Sequence, residues 1–185
     1  CDNTKSPILE RNIAVYKRSE HIKLLKKWGG SLKGKKILKT DLYEEAFGCD
    51  HFLYWLLKQN TYVFGMDISY KIGYKAMLRA GKFNTTFNNC VSSDVINCAY
   101  KDESFDLIIS NSTLDNLIAS NASQAMNELH RILKPSGTLI LTLDNRHNPL
   151  YVLGYYIEKL LNTNKYYQSK CYSVKEAVRL AKQNN

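Results

Sequence analysis

Several features that mark other classes of protein are missing from this sequence of 185 residues. No window approaches the roughly 20 consecutive apolar residues of a membrane-spanning helix, and the N-terminus lacks the basic-then-apolar pattern of a secretory signal peptide. The five cysteines include no CxxC pair, which argues against a disulfide framework and a zinc site. We therefore expect free, mostly buried thiols, no bound metal and a cytoplasmic location.

Further absences exclude other classes of enzyme and of sequence. There is no GxGxxG fingerprint, and the loop after the first predicted strand has Gly48 as its one glycine and is crowded by Asp41, Glu44 and Glu45. A pyrophosphate needs bare backbone amides at that place, so the sequence argues against a nicotinamide-dependent oxidoreductase. We find no internal repeat or low-complexity tract. The chain also lacks an initiator methionine, and we expect a processed or trimmed chain.

Charge is present but unevenly placed. Residues 1–40 hold eleven Lys or Arg against three Asp or Glu, and residues 165–185 hold five against one, whereas the segment between them is slightly acidic. These basic ends are either solvated helix faces or a surface for an anionic partner. The length and an apolar content of 44% predict one globular domain with a real core.

The segment from Phe105 to Asn145 has the clearest pattern. Residues 105–110 form an apolar run that suits a strand buried on both faces, and the apolar positions within 122–133 form one helical stripe. The tetrapeptide 134–137 (KPSG) should then stop the helix, because Pro disfavours helix before it and Gly permits a left-handed turn. With a second strand at 138–143, this order predicts a right-handed crossover and a parallel sheet.

Similar elements fill the rest of the chain. We predict strands at 37–42, 62–68 and 90–95, and helices at 8–28, 50–58, 70–80, 150–161 and 173–182. The first helix offers five apolar side chains for a buried side: Ile13, Tyr16, Ile22, Leu25 and Trp28. This helix either packs on the domain or covers a pocket. Ser173 and Glu176 have the spacing of a capping box at the start of the last helix.

Polar residues stand at the ends of four predicted strands: Asp41, Asp67, Asp94 and Asn111. Open α/β sheets bind ligands beyond the carboxyl ends of their strands, so we expect these side chains to converge. A carboxylate at the position of Asp67 can accept hydrogen bonds from both hydroxyls of a ribose. The alternative for Asp67 is a cap on the next helix, and Asp94 is alternatively a plain turn residue.

The run FDLIISNSTLDNL, followed by ELHRILKPSGTLILTL, resembles the fourth strand, the next helix, the turn and the fifth strand of class I S-adenosylmethionine-dependent methyltransferases, especially the small methyltransferase-domain enzymes. The resemblance covers about residues 34–182. It implies a Rossmann-like three-layer sandwich with a mainly parallel sheet in the order 3-2-1-4-5. The last two strands of the family sheet are missing, so we expect an exposed edge beside strand five that a partner or a second copy could cover.

The resemblance also implies a domain organisation and a set of cofactor-binding residues. Residues 1–33 would form a helical segment that packs on or caps the domain, and residues 34–185 would form the α/β domain, with an acceptor-side insertion at about 146–171. S-adenosyl-L-methionine would be held by residues from each strand end: Asp41, Glu45 and Gly48 at the methionine end, Asp67 at the ribose, Ile68, Asp94 and Val95 at the adenine, and Asn111 after strand four.

The function implied is transfer of a methyl group from S-adenosylmethionine to a small-molecule acceptor through oxygen or nitrogen. The catalytic group is not identified, and Asp115 and His147 are the candidates. The alternative is a catalytically inert methyltransferase-like module that binds a partner through its basic ends. The charge of the chain also leaves a nucleic-acid methyltransferase open as an alternative. The sequence shows no base-reading motif for it, because the segment 148–151 (NPLY) only partly resembles the (D/N)PP(Y/F) tetrapeptide and follows strand five instead of strand four.

Overall fold

Five strands form a sheet in which every neighbouring pair is parallel. The computed structural model describes residues 8–149, 152–153, 156, 160 and 171–183. The strands are β1 (Lys36–Thr40), β2 (Tyr62–Asp67), β3 (Cys90–Ser92), β4 (Phe105–Asn111) and β5 (Leu133–Thr142). Their spatial order, β3-β2-β1-β4-β5, confirms the fold class and the strand order expected from the sequence.

Helices cover both faces of this sheet. They are α1 (Ile8–Trp28), α2 (Tyr43–Ala46), α3 (Phe52–Leu56), α4 (Tyr70–Ala80), α5 (Ala119–Ile132) and α6 (Val174–Gln183), with short 3-10 turns at Gly81–Phe83 and Leu114–Asn116. Side chains of α1, α3 and α4 pack in one core cluster, and side chains of α5 and α6 pack in a second. Ile37 of β1 belongs to the first cluster and the next residue, Leu38, to the second, because successive strand residues point to opposite faces.

Helix α1 has the predicted bounds, but the prediction of its buried side is largely wrong. Leu25 is fully buried, whereas Ile13, Tyr16 and Trp28 are 46%, 65% and 62% exposed. The helix contacts the molecule at α3 and β5 through a narrow strip that includes Ala14 and Leu25. Most of its circumference therefore faces away from the core.

The turn between α5 and β5 differs from the prediction in its details. Helix α5 ends at Ile132, and β5 begins at the next residue, so the segment 134–137 lies within β5 as an irregularity in its register with β4. The left-handed residue is Ser136 (φ 64°) and not Gly137. Gly137 is needed for a different reason: a Cβ there would lie 2.8 Å from Leu133 Cγ and from the Lys134 carbonyl oxygen.

The predicted capping box of the last helix is confirmed. The Ser173 amide donates to Glu176 Oε2 at 2.8 Å, and the Glu176 amide donates to Ser173 Oγ at 3.3 Å. The predicted helix at 150–161 and the tyrosines at 166 and 167 fall mostly or wholly outside the described residues. No helix in the described part of the chain is long and apolar enough to cross a membrane.

The cysteine prediction is correct in part. Cys90, Cys98 and Cys171 are free thiols, and burial raises the pKa of Cys90 to about 11 and that of Cys98 to about 12. Both thiols are therefore protonated at neutral pH, as expected of inert packing residues. Cys49 is disulfide-bonded, against the expectation of a free thiol.

The close packing of β2 gives a test of the fold. A Cβ on Gly65 would lie 2.6 Å from Phe87 Cζ and 3.0 Å from Leu42 Cδ1, so Gly65→Ala should lower the free energy of unfolding by about 1–3 kcal/mol in urea denaturation. Gly81→Ala is the matched control, because nothing lies within 4 Å of its Cβ position, and it should be neutral or stabilising by up to about 1 kcal/mol. Equal stability of the two variants would contradict the packing described.

Candidate functional site

A cavity of about 630 Å³ opens beyond the carboxyl ends of the strands. Its wall takes residues from the ends of β1, β2, β4 and β5 and from the turn after β3. The strand order reverses at β1, whose neighbours are β2 and β4, and this is the place where open α/β sheets bind ligands. The volume lies within the range of roughly 300–1,000 Å³ found for small-molecule sites.

Asp41 shapes the first wall of the cavity, directly after β1. Its φ of 60° is left-handed, a conformation that Asp tolerates better than most residues because its short side chain can bond locally. Here Asp41 Oδ1 accepts a hydrogen bond from the Tyr43 amide at 2.9 Å, and the Asp41 amide donates to the Met66 carbonyl oxygen at 2.9 Å. An aspartate thus makes the sharp turn that a glycine would otherwise make.

Asp67, at the end of β2, forms a hydrogen bond to the loop that follows β1. Its Oδ2 accepts from the Leu42 amide at 2.9 Å, and its Oδ1 accepts from the Ser69 amide at 2.8 Å. Ser69, the residue before α4, makes no side-chain capping bond, and the bond to Asp67 comes from the Ser69 amide and not from an amide within the helix. The carboxylate is buried yet lines the cavity, and each oxygen retains capacity for a second acceptor bond.

Residues after β2 and β3 supply an apolar part of the wall with one polar group beside it. Ile68 and Val95 both line the cavity. Ile68 is 70% exposed, whereas Val95 is buried. Asp94 also lines the cavity, and its Oδ1 accepts from the Ile96 amide at 3.1 Å. An exposed isoleucine at a cavity mouth leaves apolar area that a flat ligand ring could cover.

Glu45 and Gly48 do not line the cavity. Glu45 is fully buried, and its Oε2 pairs with Lys39 Nζ at 2.9 Å while its Oε1 accepts from the Leu53 amide at 3.1 Å. Burial raises the pKa of Glu45, and the Lys39 ammonium opposes that shift. A Cβ on Gly48 would collide with Glu44 at 1.8 Å from Oε2, so Gly48 gives room to Glu44, which does line the cavity.

Two residues that the sequence analysis did not single out, His21 and Asp50, also reach the cavity. Asn111, at the end of β4, meets them there: Asn111 Nδ2 lies 3.3 Å from His21 Nδ1, which lies 3.4 Å from Asp50 Oδ2. No local pattern marks these positions in the sequence. His21 reaches the cavity only because α1 packs across α3 and β5.

The cavity wall is acidic. Of the described residues that line it, two are lysines, Lys17 and Lys39, and six are acidic: Asp41, Glu44, Asp50, Asp67, Asp94 and Asp144. Lys39 is already neutralised by Glu45. Such a wall attracts a cationic ligand and repels polyphosphates.

Comparison with known proteins agrees with this geometry. A family model described as methyltransferase domain matches residues 45–141, which is slightly more than half of the chain. The chain belongs to this family, within the class I S-adenosylmethionine-dependent methyltransferases. No curated protein matches the sequence significantly.

Solved structures support the same fold for this methyltransferase domain. An S-adenosylmethionine-dependent methyltransferase from Thermotoga maritima is similar with a TM-score of 0.68 and 22% identity, over 95% of this chain and 72% of the other. One from Methanosarcina mazei has a TM-score of 0.66 and 16% identity, over 82% and 79%. The phosphoethanolamine N-methyltransferase 2 of Haemonchus contortus, solved with S-adenosyl-L-methionine, has a TM-score of 0.64 and 16% identity, over 90% and 36%.

The two catalytic candidates of the methyltransferase domain lie outside the cavity wall. His147 is exposed on the loop after β5, where its amide donates to Asn145 Oδ1 at 3.0 Å. Asp115 is 1% exposed, and its Oδ2 accepts from the Asp144 amide at 3.0 Å. Asp115 therefore holds the backbone of Asp144, which lines the cavity. Burial raises its pKa to about 7.

This raised pKa gives a pH test. Because the folded-state pKa of Asp115 lies above its ordinary value of 3.8, its contribution to stability falls as pH rises from about 4 to 7. Asp115→Asn removes this dependence and keeps an acceptor for the Asp144 amide. In thermal or urea unfolding, the free energy of unfolding of the variant relative to that of the wild type should rise by up to about 3 kcal/mol between pH 4 and pH 8.

Asp106→Asn is the control with the opposite sign. The hydrogen bond from Lys134 lowers the pKa of Asp106, so this carboxylate contributes stability that is lost as pH falls. The Asp106 variant should therefore be less stable than the wild type, and the difference in the free energy of unfolding should be larger at pH 7 than at pH 3. A gain for Asp115→Asn that does not change with pH would show that the buried carboxyl is not the cause.

Proposed function

We propose that this chain binds S-adenosylmethionine in the cavity and transfers its methyl group to a small-molecule acceptor through oxygen or nitrogen. One observation carries the proposal. Asp41, Asp67, Ile68, Asp94 and Val95, which come from three separate strand ends, line a single acidic cavity in a chain of the methyltransferase family.

The proposed roles at the nucleoside end follow from the contacts available. Asp67 keeps free acceptor capacity beyond its two backbone amides, which suits the two hydroxyls of a ribose. Asp94 has Oδ2 without a hydrogen-bond donor in the described part of the chain, and it would accept from the adenine amino group. Ile68 and Val95 would cover the faces of the adenine ring.

At the methionine end the acidic wall fits a cation. Asp41, Glu44 and Asp50 line this part of the cavity, and Asp50 Oδ1 is buried without a hydrogen-bond partner among the described residues. A buried carboxylate oxygen without a donor is costly, so an ammonium group placed there would remove that cost. The residues present therefore fit S-adenosylmethionine, which carries two cationic centres and no phosphate.

S-adenosylmethionine, when bound, supplies a methyl group already activated on a sulfonium. The contribution required of the protein is chiefly to hold the acceptor in line with that methyl group and to exclude water. Residues 1–33 are proposed to cap the domain, and the placement of Lys17 and His21 in the cavity wall supports this. An anionic partner at the basic ends, pairing through the β5 edge and a cytoplasmic location stay predictions.

Calorimetric titration tests the proposal directly. S-adenosylmethionine and its demethylated product should both bind with micromolar affinity, and NADH, the control nucleotide, should not bind because the acidic wall repels its pyrophosphate. A folded sample that binds neither adenosyl ligand would contradict the proposed function. It would favour the inert binding module instead.

Ile68→Ala tests the adenine contact with little risk to the fold. The side chain is 70% exposed, so its loss should not change the melting temperature, whereas the lost ligand contact should raise the dissociation constant of S-adenosylhomocysteine about three- to tenfold. Leu78→Ala is the matched control, since Leu78 is 63% exposed on α4 and does not line the cavity. An Ile68 variant that binds as tightly as the Leu78 variant would remove the adenine assignment.

Asp67→Asn tests the ribose contact. Because Asp67 also holds two backbone amides, any loss of affinity must be separated from damage to the loop. We expect about a 10- to 100-fold loss for S-adenosylhomocysteine and a much smaller loss for the analogue that lacks both ribose hydroxyls. Equal losses for the two ligands would show that Asp67 acts only through the loop.

A further inference from the structure

His21 occupies a position in the cavity that the proposed function does not use. It lies on α1, outside the sheet, and its ring contacts Asn111 at the end of β4. The cavity wall holds no other histidine among the described residues. Imidazole is the side chain that can accept a proton near neutral pH without an unusual environment.

The His21 ring is held from three sides. Its Nδ1 lies 3.4 Å from Asp50 Oδ2 and 3.3 Å from the Asn111 amide nitrogen. Its ring meets Phe52 edge to face, with 5.6 Å between centroids and 66° between planes. Both polar contacts involve Nδ1, so Nε2 is the nitrogen left for another partner.

Asp50 has the properties of a residue that orients an imidazole. It is 5% exposed, and one of its oxygens faces His21 while the other has no hydrogen-bond partner in the described part of the chain. An ionised carboxylate beside Nδ1 favours the hydrogen on Nδ1 and leaves the lone pair on Nε2. With hydrogen on Nδ1, the Asn111 side-chain amide would be rotated by about 180°, so that its oxygen and not Nδ2 faces Nδ1. Hydrogen bonding decides between these two orientations of an amide.

Other titratable groups near the cavity are less suited to accept a proton from an acceptor. Asp41, Asp67 and Asp94 already accept hydrogen bonds from backbone amides. Asp115 and His147 do not line the cavity. Glu44 and Asp144 also line the cavity, but a carboxylate is ordinarily a weaker base than imidazole near neutral pH. His21 combines access to the cavity with a ring that is held in orientation by Asp50 and Asn111.

We propose that His21 is the general base of the methyl transfer and that Asp50 is its positioning residue. The acceptor's lone pair forms a bond to the methyl carbon as the carbon–sulfur bond breaks towards sulfur, and the acceptor's O–H or N–H proton passes to His21 Nε2. Asp50 stabilises the imidazolium that results, which later releases the proton to water. The contact of 3.4 Å should shorten in the loaded enzyme, as is common for catalytic hydrogen bonds. This inference rests on the proposed function.

The first test needs no acceptor. Proton–nitrogen correlation spectra of the protein labelled with ¹⁵N-histidine report which ring nitrogen carries hydrogen, and His21→Gln assigns the signal. We expect His21 in the Nδ1–H form at neutral pH, and we expect Asp50→Asn to move it towards the Nε2–H form. His147, exposed on its loop, is the internal control and should not change. A His21 that carries hydrogen on Nε2 in the wild type would overturn the proposal.

The second test measures methyl transfer to a defined set of probes: a catechol, a phenol, a primary amine and an imidazole. For any probe that the wild type methylates, His21→Gln should lower kcat at least about 100-fold, with the calorimetric dissociation constant of S-adenosylhomocysteine changed less than threefold. Asp50→Asn should lower kcat less, together with the altered tautomer. His130→Gln is the matched control and should keep wild-type kcat, because His130 is exposed on α5 and does not line the cavity.

The outcomes separate the two proposals. Absence of adenosyl-ligand binding by the folded protein rejects the proposed function itself. Binding together with an unchanged kcat in His21→Gln leaves the methyltransferase assignment in place and overturns the role of His21. If none of the four probes is methylated, the tautomer decides: the Nδ1–H form that depends on Asp50 supports the proposal, and any other form overturns it.

Discussion

The buried ion pair between Lys39 and Glu45 holds together the loop on which the site depends. Lys39 lies in β1, and its Nζ is 2.9 Å from Glu45 Oε2, with both side chains almost fully removed from solvent. Lys39 also donates to the Asp41 carbonyl oxygen, and Tyr54 and Arg79 donate to the Glu45 carbonyl oxygen. Loss of one partner would leave a buried unpaired charge, at a cost of about 3–5 kcal/mol.

This arrangement explains how a glycine-poor loop can still shape a ligand cavity. A glycine-rich loop brings its backbone close to a ligand. This loop is instead held on its core side by buried side chains and directs carboxylates towards the cavity. Asp41 and Glu44 line the cavity, whereas Glu45 is buried against Lys39. The result is an acidic wall, which suits a sulfonium and an ammonium and opposes a pyrophosphate.

Most of the fold could be predicted from the sequence, and part of the site could not. The apolar runs, the helical stripes and the KPSG turn predicted the parallel sheet, and its order β3-β2-β1-β4-β5 followed from the family resemblance. The polar residues at the strand ends do line one cavity. Glu45 does not, because successive side chains of a helix point about 100° apart, so the neighbouring acids Glu44 and Glu45 face different sides. The sequence does not show which of the two meets Lys39. Asp115 is likewise polar and lies in the 3-10 turn that follows β4, yet its side chain is buried and accepts a hydrogen bond from the Asp144 amide.

The sequence by itself placed the carboxyl end of each strand to within a few residues, since apolar runs and side-chain alternation are local properties. It therefore determined that Asp41, Asp67, Asp94 and Asn111 share one edge of the sheet. Only the tertiary structure decided what stands opposite them. His21 and Asp50 are far apart in the chain and meet at 3.4 Å because α1 crosses α3 and β5 through a narrow strip of contacts. Such a crossing depends on the packing of whole elements, and no periodicity within one segment encodes it.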